Sequence, residues 1–489
     1  MSEMQSAGAL RLLSGLWLTA FALLPACERN AVAPSPGEEP VHIVIYLIDT
    51  LRRDRLGVYG YPRPTSPNID ALARDAVVFD NAYAPAPWTL PSIASLMTAT
   101  YPVDHGVLFL GQQIGEGLST LPERLGELGF ATGGFVVNPT AEASGIRRGY
   151  DHFGVKAGPL FVGRWLRGVG AGPFFLYVHT AEPHAPFRPP AELVQRFGRV
   201  QPALHQRITR DTELLLDLLR ADRDAGLAPG TRDNSDQQDT ARQRLSRDRK
   251  AIDVLYDASV AWADANLGQI ISLLKEMGFW ERTLLIVTSD HGEEFFEHRG
   301  VGHSQSLYAE LVRIPMIWRF PANQAGGIRV DAPVTLVDVM PTILDYLGRR
   351  DLTENDIGRS FLDLLKQPDA GAPEEPVVTS VRINRRNYYR PAKEQRGDFN
   401  VSVVEGRWKG IWNIEPDSFE LFDTEADPGE RRDVASEHRE VANRLQQATV
   451  EWLHARPELD AGQGSTGDDR LDHLSPETLD RLRALGYVD

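Results

Sequence analysis

Residues 41–50 read VHIVIYLIDT, an apolar run rich in β-branched side chains that ends in an aspartate and a threonine. Continuous apolar runs of this length are typical of strands that are buried on both faces of a parallel sheet. Two further runs have the same character, Phe174–His179 (FFLYVH) and Thr283–Ser289 (TLLIVTS). The sequence therefore predicts an α/β protein whose central sheet contains these three strands.

Helical patterns separate the predicted strands. Residues 67–76 and 91–98 are predicted helices, and from residue 252 to 274 apolar side chains recur every three or four positions. The charged stretch at about residues 190–250 predicts a solvated helical insertion. Strands that alternate with helices indicate a mostly parallel central sheet flanked by helices.

The C-terminal part of the sequence has a different pattern. The chain of 489 residues is longer than one small domain, and its 42% apolar content is sufficient for a sizeable core. Beyond about residue 370 the sequence changes to short strand-like pieces, followed by a charged helix around residues 431–456. We predict a catalytic α/β domain over residues 41–370 and a small C-terminal α+β subdomain and tail over residues 371–489.

The charge and the cysteine content exclude several classes of protein. Lysine and arginine total 52 against 68 aspartates and glutamates, so the net charge of −16 argues against a nucleic-acid partner. Cys27 is the one cysteine of the sequence. An internal disulfide framework, a cysteine-rich metal cluster and a cysteine nucleophile in the folded body are therefore excluded.

The N-terminal residues predict export. A basic residue precedes the apolar stretch Leu12–Ala26, which has the length of the hydrophobic region of a signal peptide. The stretch ends in LPAC, which resembles a bacterial lipobox, so we predict a signal peptide at residues 1–26, lipid attachment at Cys27 and a polar tether at residues 27–40. The protein would then be anchored to a membrane of the bacterial cell envelope, facing the periplasm or the exterior. A plain secretory signal is the alternative.

Polar residues follow two of the predicted strands. Asp49 follows the first, and Asp290 and His291 follow the third, at the strand ends where open α/β sheets place their sites. Thr89 lies just before Pro91, so we expect it at or near a helix N-cap, where an ionising hydroxyl or a phosphate is favoured. Two carboxylates, one imidazole and one hydroxyl predict a single divalent-metal site, with zinc or manganese favoured over calcium.

The sequence resembles the sulfatase branch of the alkaline phosphatase superfamily over about residues 40–350. The matching segments are IVIYLIDTLRRDRLGVYGY (43–61), TSPNIDALARDAVVFDNAYAPAPWTLPSIASLMTATYPVDHGV (65–107), PFFLYVHTAEPHAPF (173–187) and TSDHGEEFFEHRGVGHSQSLYAELVRIPMIWR (288–319). The resemblance implies an alkaline-phosphatase-like sheet and a metal held by Asp49, Asp290 and His291, with Thr89 as the nucleophile in its coordination sphere. It further implies that His184 and His303 contact the substrate or protonate the leaving group.

The sequence departs from the family pattern at the nucleophile. Sulfatases carry cysteine or serine within C/S-x-P-x-R and oxidise it to formylglycine, whereas residues 89–93 read TLPSI. The second aspartate of the first-strand pair is Thr50, and the family's lysine-and-histidine segment reads FVVN at residues 135–138. Threonine has one hydroxyl, so an ester on Thr89 must be broken by attack at the central atom, which favours phosphorus over sulfur.

The predicted activity follows from these departures. We predict a metal-dependent hydrolase or transferase that acts on a phosphate mono- or diester through a covalent intermediate on Thr89. Its substrate would be a small-molecule, glycan or lipid ester, and Arg52 is a candidate to bind the substrate anion. A sulfatase that works without formylglycine is one alternative. A non-catalytic binding lipoprotein that retains the fold is the other.

Several neighbouring residues receive structural interpretations. His105 is interpreted as a packing residue and Asn138 as a turn residue. His179 is read as a core histidine, with a substrate role as the alternative. Glu293 and Glu294 are candidates to orient His291. We predict a single metal. A second metal held by histidines 184, 298 and 303 is the alternative.

Overall fold

The computed structural model of the protein describes residues 35, 37, 40–109, 111–224, 235–353, 356–366, 376–383, 399–413 and 418–456. The predicted signal peptide, Cys27 and most of the predicted tether lie outside the described residues. Among the helices of the described residues, none is long and apolar enough to cross a membrane.

Eleven strands belong to the part of the described chain before residue 350. They are β1 (His42–Ile48), β2 (Val77–Tyr83), β3 (Ala131–Val136), β4 (His152–Gly154), β5 (Phe174–Thr180), β6 (Thr283–Thr288), β7 (Glu294–Phe295), β8 (Val301–Gly302), β9 (Arg313–Arg319), β10 (Arg329–Val330) and β11 (Val334–Thr335). Nine of them form one sheet in the order β10-β2-β9-β6-β1-β5-β3-β4, with β11 paired to β2. The strands β7 and β8 form a separate hairpin.

The predicted mostly parallel sheet is confirmed. The strands β6, β1, β5 and β3 are adjacent and parallel, so their carboxyl ends meet at one edge of the sheet. The strand β9 was not predicted, and it runs antiparallel to both of its neighbours, β2 and β6. The predicted strand bounds hold to within one residue: β1 begins at His42, β5 extends to Thr180 and β6 ends at Thr288.

The position of strand β1 in the sheet explains why its sequence is apolar without interruption. Alternate side chains of a strand point to opposite faces of the sheet. The odd-numbered residues from Ile43 to Leu47 belong to one hydrophobic core, and the even-numbered residues from Val44 to Ile48 belong to the other. Both faces of the strand are therefore covered, and the polar residues come only where the strand ends.

Helices cover both faces of the sheet. They are α1 (Pro67–Ala73), α2 (Thr89–Thr98), α3 (Pro102–His105), α4 (Leu121–Glu127), α5 (Pro139–Ala143), α6 (Pro159–Leu166), α7 (Ala191–Phe197), α8 (Pro202–Asp224), α9 (Ser235–Arg247), α10 (Arg249–Glu276), α11 (Ala309–Val312) and α12 (Val339–Tyr346). Helices α7 to α9 occupy the region predicted as a helical insertion. Helix α10 contains the whole amphipathic pattern and exceeds it at both ends.

A four-stranded antiparallel sheet follows in the C-terminal part. It consists of β12 (Val377–Ile383), β13 (Phe399–Glu405), β14 (Trp408–Asn413) and β15 (Ser418–Asp423), and helix α13 (Arg439–His454) comes after it. The helix begins later than the predicted start near residue 431. The predicted boundary at residue 370 falls among residues outside the described ranges. The described residues all belong to one compact unit.

A buried ion pair joins the C-terminal sheet to the loop between β8 and α11. The Lys409 ammonium donates to both carboxylate oxygens of Glu430, at 2.8 and 2.9 Å, and to the Leu307 carbonyl at 2.8 Å. The Nε2 atom of His298 lies 2.9 Å from the Glu430 carbonyl oxygen. The segment that carries His303 is therefore fixed at both sides by residues of the C-terminal part.

Removal of one member of this pair is expected to destabilise the fold. Burial lowers the pKa of Lys409 and raises that of Glu430, so each charge depends on the other. We expect Lys409→Met to lower the free energy of unfolding by about 3–5 kcal/mol, because Glu430 would remain buried without a counterion. Denaturant titration followed by tryptophan fluorescence measures the change.

The control for this prediction is an exposed ion pair in the same part of the chain. Arg432 and Glu437 lie 2.8 Å apart, with side chains 70% and 50% exposed, so Arg432→Gln is expected to cost less than about 1 kcal/mol. The double variant Lys409→Met/Glu430→Gln should recover part of the lost stability, because no unpaired charge remains. Equal losses in Lys409→Met and Arg432→Gln would contradict the prediction.

Candidate active site

Four adjacent parallel strands deliver polar side chains to the same edge of the central sheet. Asp290 and His291 follow β6, and Asp49 follows β1. His179 is the penultimate residue of β5, and Asn138 lies two residues after β3. Because the strands are neighbours in the sheet, residues far apart in the sequence meet here.

Three of these residues form a compact group of metal-ligand type. One ligand atom each of Asp49, Asp290 and His291 lies within 4.8 Å of the other two, and all three side chains are fully buried. The Nε2 atom of His291 is 3.7 Å from Asp49 Oδ1 and 3.4 Å from Asp290 Oδ2. The hydroxyl oxygen of Thr89 lies 3.2 Å from the same nitrogen. The structure thus brings together the four residues that were predicted to bind the metal.

The hydrogen bonding of the carboxylates fits a bound cation. Asp49 Oδ1 and Asp290 Oδ2, the two oxygens that face His291, are buried and have no hydrogen-bond partner within the described residues. Buried carboxylate oxygens are costly unless a donor or a cation satisfies them. Two carboxylates, an imidazole nitrogen and a hydroxyl form a donor set for a divalent metal.

The electrostatics of the two carboxylates differ. Burial and the neighbouring Asp49 carboxylate raise the pKa of Asp290 well above its usual range. Burial opposes the ionisation of Asp49 too, but a hydrogen bond from His179 and the nearby imidazoles hold its pKa below its usual range. Without a cation one of the two carboxyls therefore retains a proton, and a divalent ion would allow both to ionise.

His291 is held in the form that binds metals. Burial and the proximity of His303 lower the pKa of His291, which keeps the imidazole neutral. Its Nδ1 atom lies 2.8 Å from the Gly292 carbonyl oxygen, which accepts a hydrogen bond and places the proton on Nδ1. The lone pair of Nε2 is then directed at the two carboxylates and at Thr89.

The turn after β6 fixes these atoms. Backbone amides of Thr50 and His291 donate to Asp290 Oδ1, at 3.3 and 3.0 Å, so the other oxygen is left to face the site. Gly292 is required here because a Cβ atom at this position would lie 2.0 Å from the Glu310 carbonyl oxygen. The close packing of the turn against α11 therefore sets the position of His291.

Thr89 lies near the N-cap of its helix, as expected. Helix α2 begins at Thr89, and Trp88 occupies the N-cap position directly before it. Since Thr89 caps no helix amide, its hydroxyl is directed to the site, where Asn138 Nδ2 lies 3.3 Å from it. Ile93, at the position of the family's arginine, is buried in the hydrophobic core.

Asn138 belongs to the site, and its interpretation as a turn residue was incomplete. Its Oδ1 accepts a hydrogen bond from the Thr140 amide at 2.9 Å and so caps α5. Because this atom is an acceptor, the other terminal atom of the side chain is the nitrogen of the NH2 group. That group donates to Asp49 Oδ2 at 2.5 Å. His179 also reaches this oxygen, with its Nε2 atom at 3.3 Å. Both residues orient Asp49.

Truncation of Asn138 is expected to weaken metal binding. In Asn138→Ala, Asp49 loses a hydrogen-bond donor, and we expect the metal affinity to fall about 10–100-fold. Asn138→Ser is the matched control, because serine retains a side chain that caps α5 but is too short to reach Asp49. Chelator competition should give the same loss for both variants. A serine variant with the parental affinity would show that the cap, and not the donor to Asp49, was responsible.

Two predicted catalytic histidines lie beside the metal ligands. The ring centres of His291 and His303 are 4.6 Å apart, and those of His184 and His303 are 5.2 Å apart. Burial lowers the pKa of His303, but the Glu293 carboxylate, 3.2 Å away, more than offsets this and raises it above its usual value. A protonated His303 is suited to donate a proton to a leaving group.

The structure places other predicted residues away from the metal ligands. Arg52 donates hydrogen bonds to Asp54, to Glu297 and to the Glu293 carbonyl, and within the described residues it forms no hydrogen bond with Thr89. Arg52 forms an ion pair with Asp54, at 2.7 Å. His298 lies 2.6 Å from a Glu310 oxygen and faces the C-terminal part. It is therefore not available for a second metal.

The acidic residues after Gly292 have roles other than the predicted one. Glu293 pairs with His303, and Glu294 accepts the backbone amides of His298 and Gly300, at 2.9 and 2.6 Å. His291 is oriented instead by a backbone carbonyl. His105 is a packing residue as predicted, since its two ring nitrogens bond Ser95 and Val107.

Two protein-family models match most of the chain. The family model of the sulfatases, described as Sulfatase, matches residues 41–159 and 161–349, and that of the N-sulphoglucosamine sulphohydrolase C-terminal part matches residues 296–454. Arylsulfatase K of Mus musculus is 34% identical over 207 residues, which cover 40% of this chain and 35% of the relative. The N-acetylglucosamine-6-O-sulfatase of Bacteroides thetaiotaomicron is 22% identical over 536 residues, which cover 92% and 94% of the two chains.

Solved structures share the fold at low sequence identity. A phosphonate monoester hydrolase of Agrobacterium radiobacter has a TM-score of 0.62 at 21% identity, covering 85% of this chain and 95% of its own. A protein solved with its substrate D-glucosamine-2-N,6-O-disulfate has a TM-score of 0.63 at 20% identity. The match covers 86% of this chain and 100% of that protein.

The extent of these matches differs between relatives. The chain spans about a third of the length of the first arylsulfatase K relatives that it matches. The Sulfatase family model, by contrast, covers residues 41–349 almost without a break, including every predicted metal ligand. On this evidence the chain belongs to the sulfatase family, and its fold is that of the alkaline phosphatase superfamily.

Proposed function

We propose that this protein is a metal-dependent ester hydrolase that cleaves a phosphate mono- or diester through a covalent intermediate on Thr89, or transfers the phosphoryl group to an acceptor alcohol. The observation that carries the proposal is the position of the Thr89 hydroxyl, 3.2 Å from His291 Nε2 and beside two buried carboxylate oxygens that have no hydrogen-bond partner among the described residues. A hydroxyl in this position is suited to act as a metal-activated nucleophile.

The identity of the nucleophile favours phosphorus over sulfur. A formylglycine hydrate has two hydroxyls, and the second allows its sulfate ester to be released by C–O cleavage. Thr89 has one hydroxyl, and no arginine completes the motif at Ile93. An ester on Thr89 is therefore released by attack at the central atom, a reaction that phosphoryl groups undergo when cations neutralise their oxygens. The phosphonate monoester hydrolase among the solved neighbours carries phosphorus chemistry on the same fold.

The proposed reaction has two steps. A divalent cation held by Asp49, Asp290 and His291 would supply charge stabilisation and lower the pKa of the Thr89 hydroxyl. The Thr89 hydroxyl gives its proton to solvent, its oxygen attacks phosphorus in line, the new O–P bond forms, and the bond to the leaving alcohol breaks as protonated His303 or His184 donates a proton to the alcohol oxygen. Water or an acceptor alcohol then attacks the phosphothreonine and gives up a proton to the same imidazole. The O–P bond to Thr89 breaks, and the Thr89 oxygen regains a proton from solvent.

A substrate panel tests the proposal. The purified chain, loaded with zinc or manganese, is assayed on aryl phosphate, aryl phosphodiester and aryl sulfate, and we expect the highest kcat/KM on a phosphorus ester. In water enriched in heavy oxygen, the label should appear in the released phosphate, and a rapidly quenched reaction should contain a phosphothreonine peptide. Turnover of the aryl sulfate alone would contradict phosphorus chemistry.

A sulfatase that works without formylglycine is the second candidate. It is favoured by the relatives, which include an N-acetylglucosamine-6-O-sulfatase that this chain matches over 92% of its length. In that case Thr89 would carry a transient sulfate ester, and the glycan sulfate would be turned over in preference to every phosphate. Bound metal without turnover of any ester would instead support a non-catalytic binding protein.

We also propose that the protein is exported and held at a membrane of the bacterial envelope by lipid attached to Cys27, with a glycan or lipid ester as substrate. The support is the apolar stretch that ends in LPAC, whose last residue, Cys27, is the one cysteine of the sequence. Expressed in bacteria, the chain should enter the detergent phase on phase separation, and Cys27→Ser should remain in the aqueous phase. A parental protein found in the aqueous phase would overturn the anchor without affecting the catalytic proposal.

A further inference from the structure

An arginine-rich cleft lies where the turn after β1, the start of α10 and the C-terminal part of the chain meet. Its volume is about 450 Å³, within the range of small-molecule sites. Seven arginines and four carboxylate residues line it, and none of them is a ligand of the predicted metal or one of the catalytic histidines. In a chain with a net charge of −16, this concentration of guanidinium groups requires an explanation.

Some of these arginines are neutralised within the protein. Arg52 is paired with Asp54 in bidentate geometry, at 2.9 and 2.7 Å. Arg249 lies 2.8 Å from Glu297, and Arg55 lies 2.6 Å from Asp253. These pairs use three of the four carboxylates of the cleft. The fourth, Glu310, is engaged by His298.

Two arginines of the cleft bond neutral oxygens. Arg313 donates to the Asp80 carbonyl at 3.1 Å and to the amide oxygen of Asn81 at 2.5 Å. Arg431 donates to the Glu297 carbonyl. Within the described residues neither guanidinium has a carboxylate partner, and the Nε atom of Arg313 is buried without any partner. A guanidinium can form several hydrogen bonds with an oxyanion, so this donor capacity remains for a ligand.

The charge of a third arginine is only partly neutralised by a carboxylate. Arg53 lies 3.2 Å from Asp80, but Asp80 is shared with Arg329, which holds it with two donors, and the Nε atom of Arg53 is buried without a partner. Arg53 and Arg313 line the same cleft, and burial together with the charge of Arg313 lowers the pKa of Arg53. An anion between them would remove this repulsion.

We propose that this cleft is a second ligand site, separate from the metal site, which binds a tetrahedral oxyanion, phosphate or sulfate, through Arg53, Arg313 and Arg431. The oxyanion is either free in solution or carried on a sugar, since the volume of the cleft exceeds that of a bare ion. Planar guanidinium groups suit both ions, because they donate in parallel to two oxygens.

Equilibrium binding to the metal-loaded chain tests the proposal. Calorimetric titrations with inorganic phosphate, inorganic sulfate and glucose 6-phosphate are compared for the parent and for Arg313→Gln/Arg431→Gln, with glucose as the neutral control. The parent should bind an oxyanion at a site besides the catalytic one. The double variant should lose at least tenfold in affinity at that site, while inhibition of turnover by phosphate stays unchanged.

The matched control is Arg432→Gln. Arg432 follows Arg431 directly but is exposed and paired with Glu437, so its loss should leave the affinity unchanged. Tighter binding of glucose 6-phosphate than of phosphate would assign the site to a sugar-borne group, and equal affinities would assign it to the free ion. Unchanged affinity and stoichiometry in the double variant would overturn the proposal.

A crystallographic measurement answers the same question without a variant. Crystals of the parent protein soaked in tungstate, a heavy analogue of both ions, should show an anomalous peak in the cleft beside Arg53 and Arg313. A soaked crystal with a peak at the metal site and none in the cleft would overturn the proposal, even if the double variant failed to fold.

Discussion

Thr89→Val is expected to abolish turnover while Asp49, Asp290 and His291 still bind the metal when it is supplied at a saturating concentration. Valine keeps the branched shape of threonine and removes the hydroxyl, so α2 and its packing should persist. The loss of a nucleophile that acts together with a metal should reduce kcat by at least roughly 10⁴-fold. Steady-state kinetics on the preferred aryl ester and metal analysis of the same sample measure the two effects.

Thr89→Ser provides the matched control for the nucleophile. Serine retains the hydroxyl, so turnover and a covalent phosphoserine should both be found, at a reduced rate because the less restricted side chain is positioned less well. Thr89→Val should give no covalent species in a quenched reaction. Turnover of Thr89→Val near the parental rate would show that water or another side chain attacks the substrate.

Asp290→Asn is expected to remove metal binding and, with it, all metal-dependent stabilisation. The variant replaces one of two buried carboxylates that face His291, so the metal affinity should fall by more than the roughly 10–100-fold that is typical of residues outside the ligand set. At 100 times the Kd, a bound metal stabilises the parent by about 2.7 kcal/mol. Chelator should therefore lower the Tm of the parent and leave that of Asp290→Asn unchanged.

The metal-free proteins give a second readout. Burial and the neighbouring Asp49 carboxylate raise the pKa of Asp290, so its carboxyl keeps a proton when no cation is bound. The asparagine of Asp290→Asn is also neutral, so the metal-free variant should be about as stable as the metal-free parent. Asp54→Asn is the control, because Asp54 pairs with Arg52 and should leave the metal affinity unchanged. A chelator effect of equal size in Asp290→Asn and the parent would contradict the assignment.

The sequence predicted the strands and helices whose side chains have the same degree of burial along the whole element. Strand β1 is buried on both faces, so its apolar run identified it, and the polar residues at its end identified the site edge. Strand β9 was missed because its antiparallel direction depends on its neighbours β2 and β6. Local patterns do not contain that information.

The residues of the site that were missed depend on distant partners. Asn138 donates to Asp49 across 89 residues of sequence, and an asparagine after a strand is more often a turn residue. The available signal was its position after β3, at the same sheet edge as Asp49. The arginine cleft had no such signal, because Arg53, Arg313 and Arg431 come from three separate segments.

The buried anchor between the C-terminal sheet and the His303 loop has a consequence for biosynthesis. Glu430, which holds His298 through its carbonyl oxygen, follows that histidine by 132 residues. During synthesis every metal ligand is translated before this stretch, so the loop that carries His303 can reach its final position only after Glu430 has been added. The active site is therefore completed late in synthesis, and removal of the chain from Glu430 onward is expected to abolish activity although every metal ligand remains.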